Sequence, residues 1–134
     1  MALLIATVTQ SYGQFPSPYC GPLAFATNVE PITLVNFAGI NNVSDATADP
    51  LVNAAHEDFT AIFANVNAGS TYPISIKGNS DGSYTDMVRV YIDWNQNNDF
   101  TDAGESYDLG SIVGSTGTDA VVLNSLLHLL ILLL

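Results

Sequence analysis

The sequence predicts an all-β protein, built as an antiparallel β-sandwich of the Ig-like or jelly-roll-like kind. Short apolar runs with the two-residue period of a strand recur at fairly even spacing along the chain. Clusters of Asn, Asp, Gly and Ser separate these runs, which is typical of the turns of a sandwich. Long amphipathic helical patterns are missing from the sequence, and its 134 residues hold one domain at most.

Each predicted strand depends on its own run of β-branched and aromatic residues. In chain order, the first two strands are predicted at residues 31–37 and 59–66. The third strand is the one on which Tyr72, Ile74 and Ile76 alternate, and the others are predicted at residues 84–92, 107–113 and 119–123. Turn residues predict turns at 39–44 and 67–70, with a loop at 45–56. Residues 78–82 are predicted to close a hairpin between the third and fourth strands. The core is predicted to draw on Ile32, Leu34, Phe37, Phe59, Ile62, Phe63, Ile74, Ile76, Val88, Val90 and Ile92.

An acidic loop follows the strand that ends at Ile92, and it is the most informative stretch of the sequence. Its oxygen-bearing side chains are Asp93, Asn95, Asn97, Asp99, Asp102 and Glu105. The first four recur at every second position, which matches the D-x-[DN]-x-[DN] opening of a calcium loop. Calcium takes about six to eight oxygen ligands. The sequence therefore predicts a Ca2+ site made by these six side chains at the end of a β-strand.

The acidic loop departs from an EF-hand in three respects. An EF-hand needs a helix on each side, whereas the preceding residues alternate as a strand. Asn98 takes the position of the EF-hand glycine, and Asn also tolerates the left-handed conformation. Glu105 falls one residue late for the last ligand. A solvated acidic turn that binds no metal is the alternative interpretation, because Asn and Asp are ordinary turn residues.

The acidic loop and several flanking segments resemble the GEVED domain, a β-sandwich module of large secreted bacterial proteins. The most specific match is residues 90–100 together with residues 102–105. Shorter matches follow the family's order at residues 19–20, 30–42, 57–60 and 69–78. The Gly-Glu-Val-Glu-Asp motif that names the family is absent. The resemblance thus implies a domain at residues 19–123 whose sandwich is incomplete at the C-terminus.

Cys20 is the only cysteine of the chain. In the resembling family the cysteine of the opening Tyr-Cys commonly has a partner near the namesake motif. The resemblance therefore implies that Cys20 is one half of a disulfide. A catalytic thiol is the weaker alternative, because neither His56 nor His128 lies in a recognisable cysteine-protease setting.

Both ends of the chain carry apolar runs. Residues 1–13 look like a secretory signal without its basic region, cleaved after Gly13, and a buried N-terminal strand is the alternative. Residues 124–134 form a leucine-rich tail that is too short for the ~20 residues of a membrane-spanning helix. The family would show a strand there, so our interpretation is a frameshift or premature stop after about Val122. A short helical, membrane-associated tail is the alternative, and the helix propensity of Leu predicts a helix.

The cluster His56-Glu57-Asp58 is a second place where chemistry is conceivable. Thr60 breaks a His-Glu-x-x-His zinc motif, and the sequence has no Gly-x-Ser-x-Gly turn. Glu57 and Asp58 could reach a cation held by the acidic loop, or they could form a solvated strand start. Trp94 and the tyrosines could form a sugar-stacking patch, although such residues are more often core residues in a sandwich.

Charge narrows the range of partners. Thirteen acidic residues face only Lys77 and Arg89, which gives a formal net charge of -11. Such a surface repels phosphates and anionic lipids, so we expect no nucleic-acid partner and no stable membrane span. The sequence favours a non-catalytic, calcium-stabilised accessory or adhesion module of a secreted or cell-surface bacterial protein, with a glycan, a protein or a neighbouring domain as partner. A small carboxylate-dependent hydrolase of glycans or peptides is the alternative, although no nucleophile–base pair is present.

Overall fold

The structure confirms the predicted all-β fold class. The computed structural model describes residues 28–49, 56–67, 69–116 and 122–128, and these contain strands but no helix. In chain order the strands are β1 (Ile32–Phe37), β2 (Ile40–Val43), β3 (Thr71–Gly78), β4 (Thr85–Tyr91), β5 (Ser106–Val113) and β6 (Val122–His128). The predictions for residues 1–13, for Cys20 and for residues 129–134 lie outside the described residues.

The strands form two antiparallel sheets. One sheet has four strands in the order β2-β1-β3-β6, and the other pairs β4 with β5. The buried core lies between them and consists of Ile74, Ile76, Val88, Leu109, Ile112 and Leu127. Because these residues come from β3 and β6 on one side and from β4 and β5 on the other, the molecule is an incomplete β-sandwich. No helix of the described residues is long and apolar enough to cross a membrane.

The prediction of a turn at residues 39–44 was wrong. Residues 40–43 form β2, which pairs with β1 so that Phe37 lies opposite Ile40. The turn is only Ala38 and Gly39, with φ angles of 46° and 92°. A two-residue hairpin turn with positive φ at both positions matches the right-handed twist of the strands it joins. The chain therefore reverses sooner than the Asn-rich sequence indicates.

The prediction of a strand at residues 59–66 was also wrong. Asp58 accepts a hydrogen bond from the amide of Thr60 at 2.9 Å, and the amide of Ile62 donates to the carbonyl of Phe59 at 2.8 Å. These bonds close a turn within the predicted strand, as the side chains of Asp residues often do. Phe59, Ile62 and Phe63 are consequently exposed rather than part of the core, and Phe63 is 80% exposed.

Ile32 was predicted as a core residue but is exposed. The pairing of β1 with β3 shifts between Ile32 and Leu34, so Thr33 is the extra residue of a β-bulge. A shift of one residue exchanges the two faces of a strand. Thr33 is buried in place of Ile32, and Leu34 is only half-buried.

Residues 78–82 do not close a hairpin, in contrast to the prediction. β3 pairs with β1 and β6, whereas β4 pairs with β5, so this connection crosses from one sheet to the other. Ser80 is fully buried here, and its amide donates to the carbonyl of Ser115 at 2.8 Å. The amide of Ser115 donates back to Oγ of Ser80 at 2.9 Å. Asn79 adds a bond from Nδ2 to the carbonyl of Ala46 at 2.6 Å.

The leucine-rich segment at the end of the described chain is a strand and not the predicted helix. β6 pairs antiparallel with β3, from Lys77 opposite Val122 to Thr71 opposite His128. Leu127 is 1% exposed and belongs to the core. An unpaired edge of β3 and an apolar face to cover outweigh the helix propensity of Leu, which is a weak preference.

Candidate metal centre

The acidic loop joins β4 to β5, so it stands at one end of the two-stranded sheet. Its two ends are held together because the amide of Ile92 donates to the carbonyl of Glu105 at 2.9 Å. The antiparallel pairing of Tyr91 with Ser106 continues into this bond. Residues 93–105 therefore form a closed loop. Its first and last acidic residues, Asp93 and Glu105, start from neighbouring points of the backbone.

Asp93 curls the first half of the loop. Its Oδ1 accepts the amide of Asn97 at 3.2 Å, and its Oδ2 accepts the amide of Asn98 at 2.9 Å. The turn requires left-handed backbone at Gln96 and at Asn98, with φ angles of 59° and 69°. Asn98 thus adopts the conformation expected for the residue at the glycine position of a calcium loop.

The spacing of polar residues by two has a local structural meaning. Oδ1 of Asn95 accepts the amide of Asn97 at 2.9 Å, and Oδ1 of Asn97 accepts the amide of Asp99 at 2.8 Å. Each side chain therefore accepts the amide two residues later and forms an Asx turn. A carbonyl oxygen has two lone pairs, so each amide oxygen keeps one acceptor position for a further partner.

Asp102 gathers the two Asn side chains. Its Oδ2 accepts Nδ2 of Asn95 at 2.8 Å and Nδ2 of Asn97 at 2.7 Å. Three of the predicted ligands thus meet at one carboxylate oxygen. The amide nitrogens face this carboxylate because the two amide oxygens are held by the Asx turns.

Asp99 faces the next turn instead. Its Oδ1 accepts the amide of Thr101 and its Oδ2 accepts the hydroxyl of Thr101, both at 2.9 Å. The hydroxyl and then the amide of Thr101 hold the pKa of Asp99 below its usual value. This carboxylate is therefore committed to the turn at residues 99–101.

Glu105 is the least exposed acidic residue of the loop, at 2% exposure. Its Oε1 accepts the amides of Trp94 and Asn95 at 2.9 and 3.4 Å, so the carboxylate lies against the start of the loop. Its Oε2 is buried and has no hydrogen-bond partner. A carboxyl oxygen without a partner is costly to bury, which makes this atom the clearest structural feature of the loop that a cation would satisfy.

Trp94 links the loop to the core, as the core interpretation of this residue predicted. Its indole Nε1 donates to the hydroxyl of Tyr107 at 2.9 Å, and both rings pack against the core cluster. The neighbouring rings of Tyr91 and Phe100 lie 5.5 Å apart at a tilt of 45°. An indole followed thirteen residues later by a Tyr carries no recognisable spacing signal, because the contact arises only when β4 and β5 pair.

The donor set fits a hard cation by its chemistry. It consists of the carboxylates of Asp93, Asp102 and Glu105 and the amides of Asn95 and Asn97, all oxygen donors of the kind that Ca2+ prefers. Among the described residues, no three Asp, Glu, His or Cys side chains are grouped closely enough to hold a metal ion, so the carboxylates of Asp93, Asp102 and Glu105 are not gathered around one point. The fit is one of donor type, and it includes the amide oxygens of Asn95 and Asn97 and the unpartnered Oε2 of Glu105.

The cluster at residues 56–58 is engaged locally. The carboxylate of Asp58 accepts the amide of Thr60, and this backbone bond is the main reason that the pKa of Asp58 is lowered. Glu57 is half-buried in the same segment. The contacts of Asp58 are those of a turn, and they bring no carboxylate of this cluster into the hydrogen bonds of the acidic loop.

Comparison with known proteins adds no family to this picture, since the chain matches no family model, no curated protein and no solved structure.

Proposed function

We propose that the chain is a non-catalytic module stabilised by Ca2+ in the acidic loop, of the GEVED type found in secreted or cell-surface proteins. The single observation that carries the proposal is Oε2 of Glu105, a buried carboxylate oxygen without a hydrogen-bond partner, in a side chain whose Oε1 accepts the amides of Trp94 and Asn95 at the start of the loop. A cation bound there would give this oxygen its partner.

The chain itself offers little positive charge for this purpose. Its only Lys and Arg residues are Lys77 and Arg89. The guanidinium of Arg89 lies 3.6 Å from the carboxylate of Asp108, on the outer face of the two-stranded sheet. Lys77 lies in β3, in the other sheet. A divalent cation from solution would supply compensating charge to Asp93, Asp102 and Glu105 that no described basic side chain supplies.

The loop side chains support a structural role rather than catalysis. Asp93 and Glu105 accept backbone amides with three of their four carboxylate oxygens, which fixes them in place. A general base must be free to take a proton from a substrate, and a nucleophile needs a base beside it. The module would therefore serve adhesion or positioning, with a glycan, a protein or the next domain as its partner.

Thermal unfolding of the full chain with Ca2+ and with a chelator tests the proposal. Extracellular calcium modules bind with Kd values of about 0.1 to 1 mM. At ~1 mM Ca2+, mass action would then add about 0.4 to 1.4 kcal/mol to the free energy of unfolding. The variant Asp102→Asn should lose this gain, because it removes the charge on which Asn95 and Asn97 converge.

Asp45→Asn is the matched control. It removes one carboxylate charge outside the loop, and Asn can still accept the amide of Thr47, as Asp45 does. This variant should respond to Ca2+ as the native chain does. An identical melting temperature of the native chain in chelator and in several millimolar Ca2+ would refute the calcium site.

A further inference from the structure

One pair of residues in the connection between β3 and β4 has a chemistry that the proposed module does not use. Asp81 is the only Asp of the chain that is followed by Gly. Because Gly has no side chain, nothing on Gly82 shields its amide nitrogen from the carboxyl group of Asp81. Every other Asp precedes a residue that carries a side chain. The Asp81–Gly82 bond is therefore the place where a carboxyl carbon and the next amide nitrogen can approach most closely.

The fold leaves this bond accessible. Asp81 is exposed, and residues 81–83 form a bend between the two strands rather than part of a strand ladder. Among the described residues, no acceptor receives a hydrogen bond from the amide of Gly82. An amide in a strand ladder is held by its acceptor and cannot turn toward a neighbouring side chain. The nitrogen of Gly82 is not restrained in this way.

The backbone of Asp81 is also in a costly conformation. Its φ angle is 50°, and the left-handed region is less favourable for Asp than the right-handed one. Two polar contacts hold it there, since its amide donates to Oδ1 of Asn79 at 2.9 Å and its Oδ2 accepts Nδ2 of Asn28. The contact with Asn28 is exposed, so water competes for it. The carboxyl group of Asp81 can therefore leave this contact and turn toward Gly82.

We propose that Asp81 is a site of spontaneous isomerisation to isoaspartate. The amide nitrogen of Gly82 attacks Cγ of the protonated carboxyl group, so that an N–Cγ bond forms and a Cγ–O bond breaks. The carboxyl OH leaves with the amide proton as water, and a succinimide ring remains. Solvent water then opens the ring, either at Cγ, which restores Asp81, or at the backbone carbonyl carbon, which gives isoaspartate with a free α-carboxylate. One water is released and one is consumed, so the mass of the chain does not change.

Isomerisation at this position would loosen the tie between the two sheets. The main chain of isoaspartate runs through Cβ and Cγ, so it is one atom longer between Asp81 and Gly82. Oγ of the buried Ser80 donates to the carbonyl of Gly82 at 3.0 Å and accepts the amide of Ser115 at 2.9 Å. A longer main chain displaces the carbonyl of Gly82 from this arrangement. We therefore expect the isomerised protein to melt at a lower temperature than the native chain.

Peptide mapping of the full chain after several weeks in neutral buffer tests the proposal. The peptide that contains Asp81 should split into two species of equal mass, one of which an isoaspartyl methyltransferase methylates. Asp45 and Asp102 are internal controls, because both are exposed and precede Ala, whose side chain should slow ring closure at least about tenfold. If the folded chain stays unmodified while the same chain in denaturant converts, the fold protects Asp81 and the proposal is overturned.

Asp81→Glu links the modification to stability. Its longer side chain would have to close a six-membered ring, which forms much more slowly, so this variant should stay unmodified. The melting temperature of each protein is compared with that of its own fresh sample. It should fall in the native chain in step with the isoaspartate fraction and stay constant in Asp81→Glu. An equal fall in both proteins would overturn the inferred loosening.

Discussion

The individual residues that matter most are those whose backbone or side chain is held in a costly state. Glu105 buries a carboxylate oxygen without a partner, and Ala38 has a left-handed backbone with φ of 46°. A cation bound at the loop, as proposed above, would offset the first cost. The second belongs to the hairpin between β1 and β2, where the turn needs positive φ at both positions.

Glu105→Gln tests whether Glu105 is a ligand. Without Ca2+ this variant should unfold much as the native chain does, because Gln keeps an oxygen to accept the amides of Trp94 and Asn95 and, like Glu105, buries one polar atom without a partner. Ca2+ should then add nothing to its stability. Denaturant unfolding in chelator and in calcium measures both effects, with Glu57→Gln as the control. A full calcium response of Glu105→Gln would exclude Glu105 as a ligand.

Ala38→Asn should stabilise the protein by about 0.5 to 1 kcal/mol. Asn adopts the left-handed conformation more readily than Ala, and Asn-Gly is the preferred sequence for this hairpin turn. Ala61→Asn, at an exposed position outside any strand, provides the comparison and should change little. Equal stability of Ala38→Asn and the native chain in a urea titration would mean that the turn carries no such strain.

The strands were predictable to different degrees for a physical reason. Alternation in β1, β3, β4 and β5 predicted their positions, because the two-residue period is a local property of the sequence. It did not predict their neighbours, so the connection at residues 78–82 was taken for a hairpin. Likewise, the spacing of the six oxygen-bearing residues predicted that they lie together in one loop after a strand. The commitment of Asp99 to Thr101 and the burial of Glu105 depend on side-chain directions that spacing does not contain.

The connection between β3 and β4 behaves as one element that ties the two sheets together. Ser80 bonds to Ser115, Asn79 bonds to Ala46, and the amide of Asn79 donates to the carbonyl of Pro31 at 2.9 Å. A Cβ on Gly78 would come within 3.1 Å of Cδ1 of Ile112, so the strand passes close to the opposite sheet. In this connection, small residues and buried hydrogen bonds therefore hold the two sheets together, as apolar packing does elsewhere in the core.

Ser80→Ala should destabilise the fold by about 1 to 3 kcal/mol, because it leaves the buried amide of Ser115 without its acceptor. Ser83→Ala, which alters an exposed serine of the same connection, should have an effect below about 0.5 kcal/mol. Chemical unfolding of the two variants measures the difference. Similar stabilities would show that water replaces the Ser80 hydroxyl at no cost.

At the scale of the whole molecule, two acidic side chains, one from each side, line the cleft between the sheets. This cleft has a volume of about 420 Å³ and is lined by Glu30, Asp86 and Arg89, with Ile112 and Val88 among its apolar walls. Burial, and then the nearby Asp86 and Asp81, raise the pKa of Glu30 above its usual value. Glu30 lies next to the four-stranded sheet and Asp86 in β4 of the other, and a proton on Glu30 lets the two side chains share a hydrogen bond across the cleft.

Glu30→Gln should change how stability depends on pH. A raised pKa in the folded state means that the native protein gains stability as pH falls through that pKa and loses it as pH rises again. The variant should lose this component and be more stable than the native chain at neutral pH. Thermal unfolding from pH 4 to 7, with Glu57→Gln alongside, tests this expectation. Parallel curves for Glu30→Gln and the native chain would contradict it.

The pairing of β3 with β6 also has a consequence for biosynthesis. The chain leaves the ribosome from its N-terminus, so β4, the acidic loop and β5 all emerge before β6 does. β1, β2 and β3 can assemble early, yet one edge of β3 waits for its neighbour. We therefore expect this edge of β3 to stay unpaired until residues 122–128 have left the ribosome, so β6 completes the four-stranded sheet last.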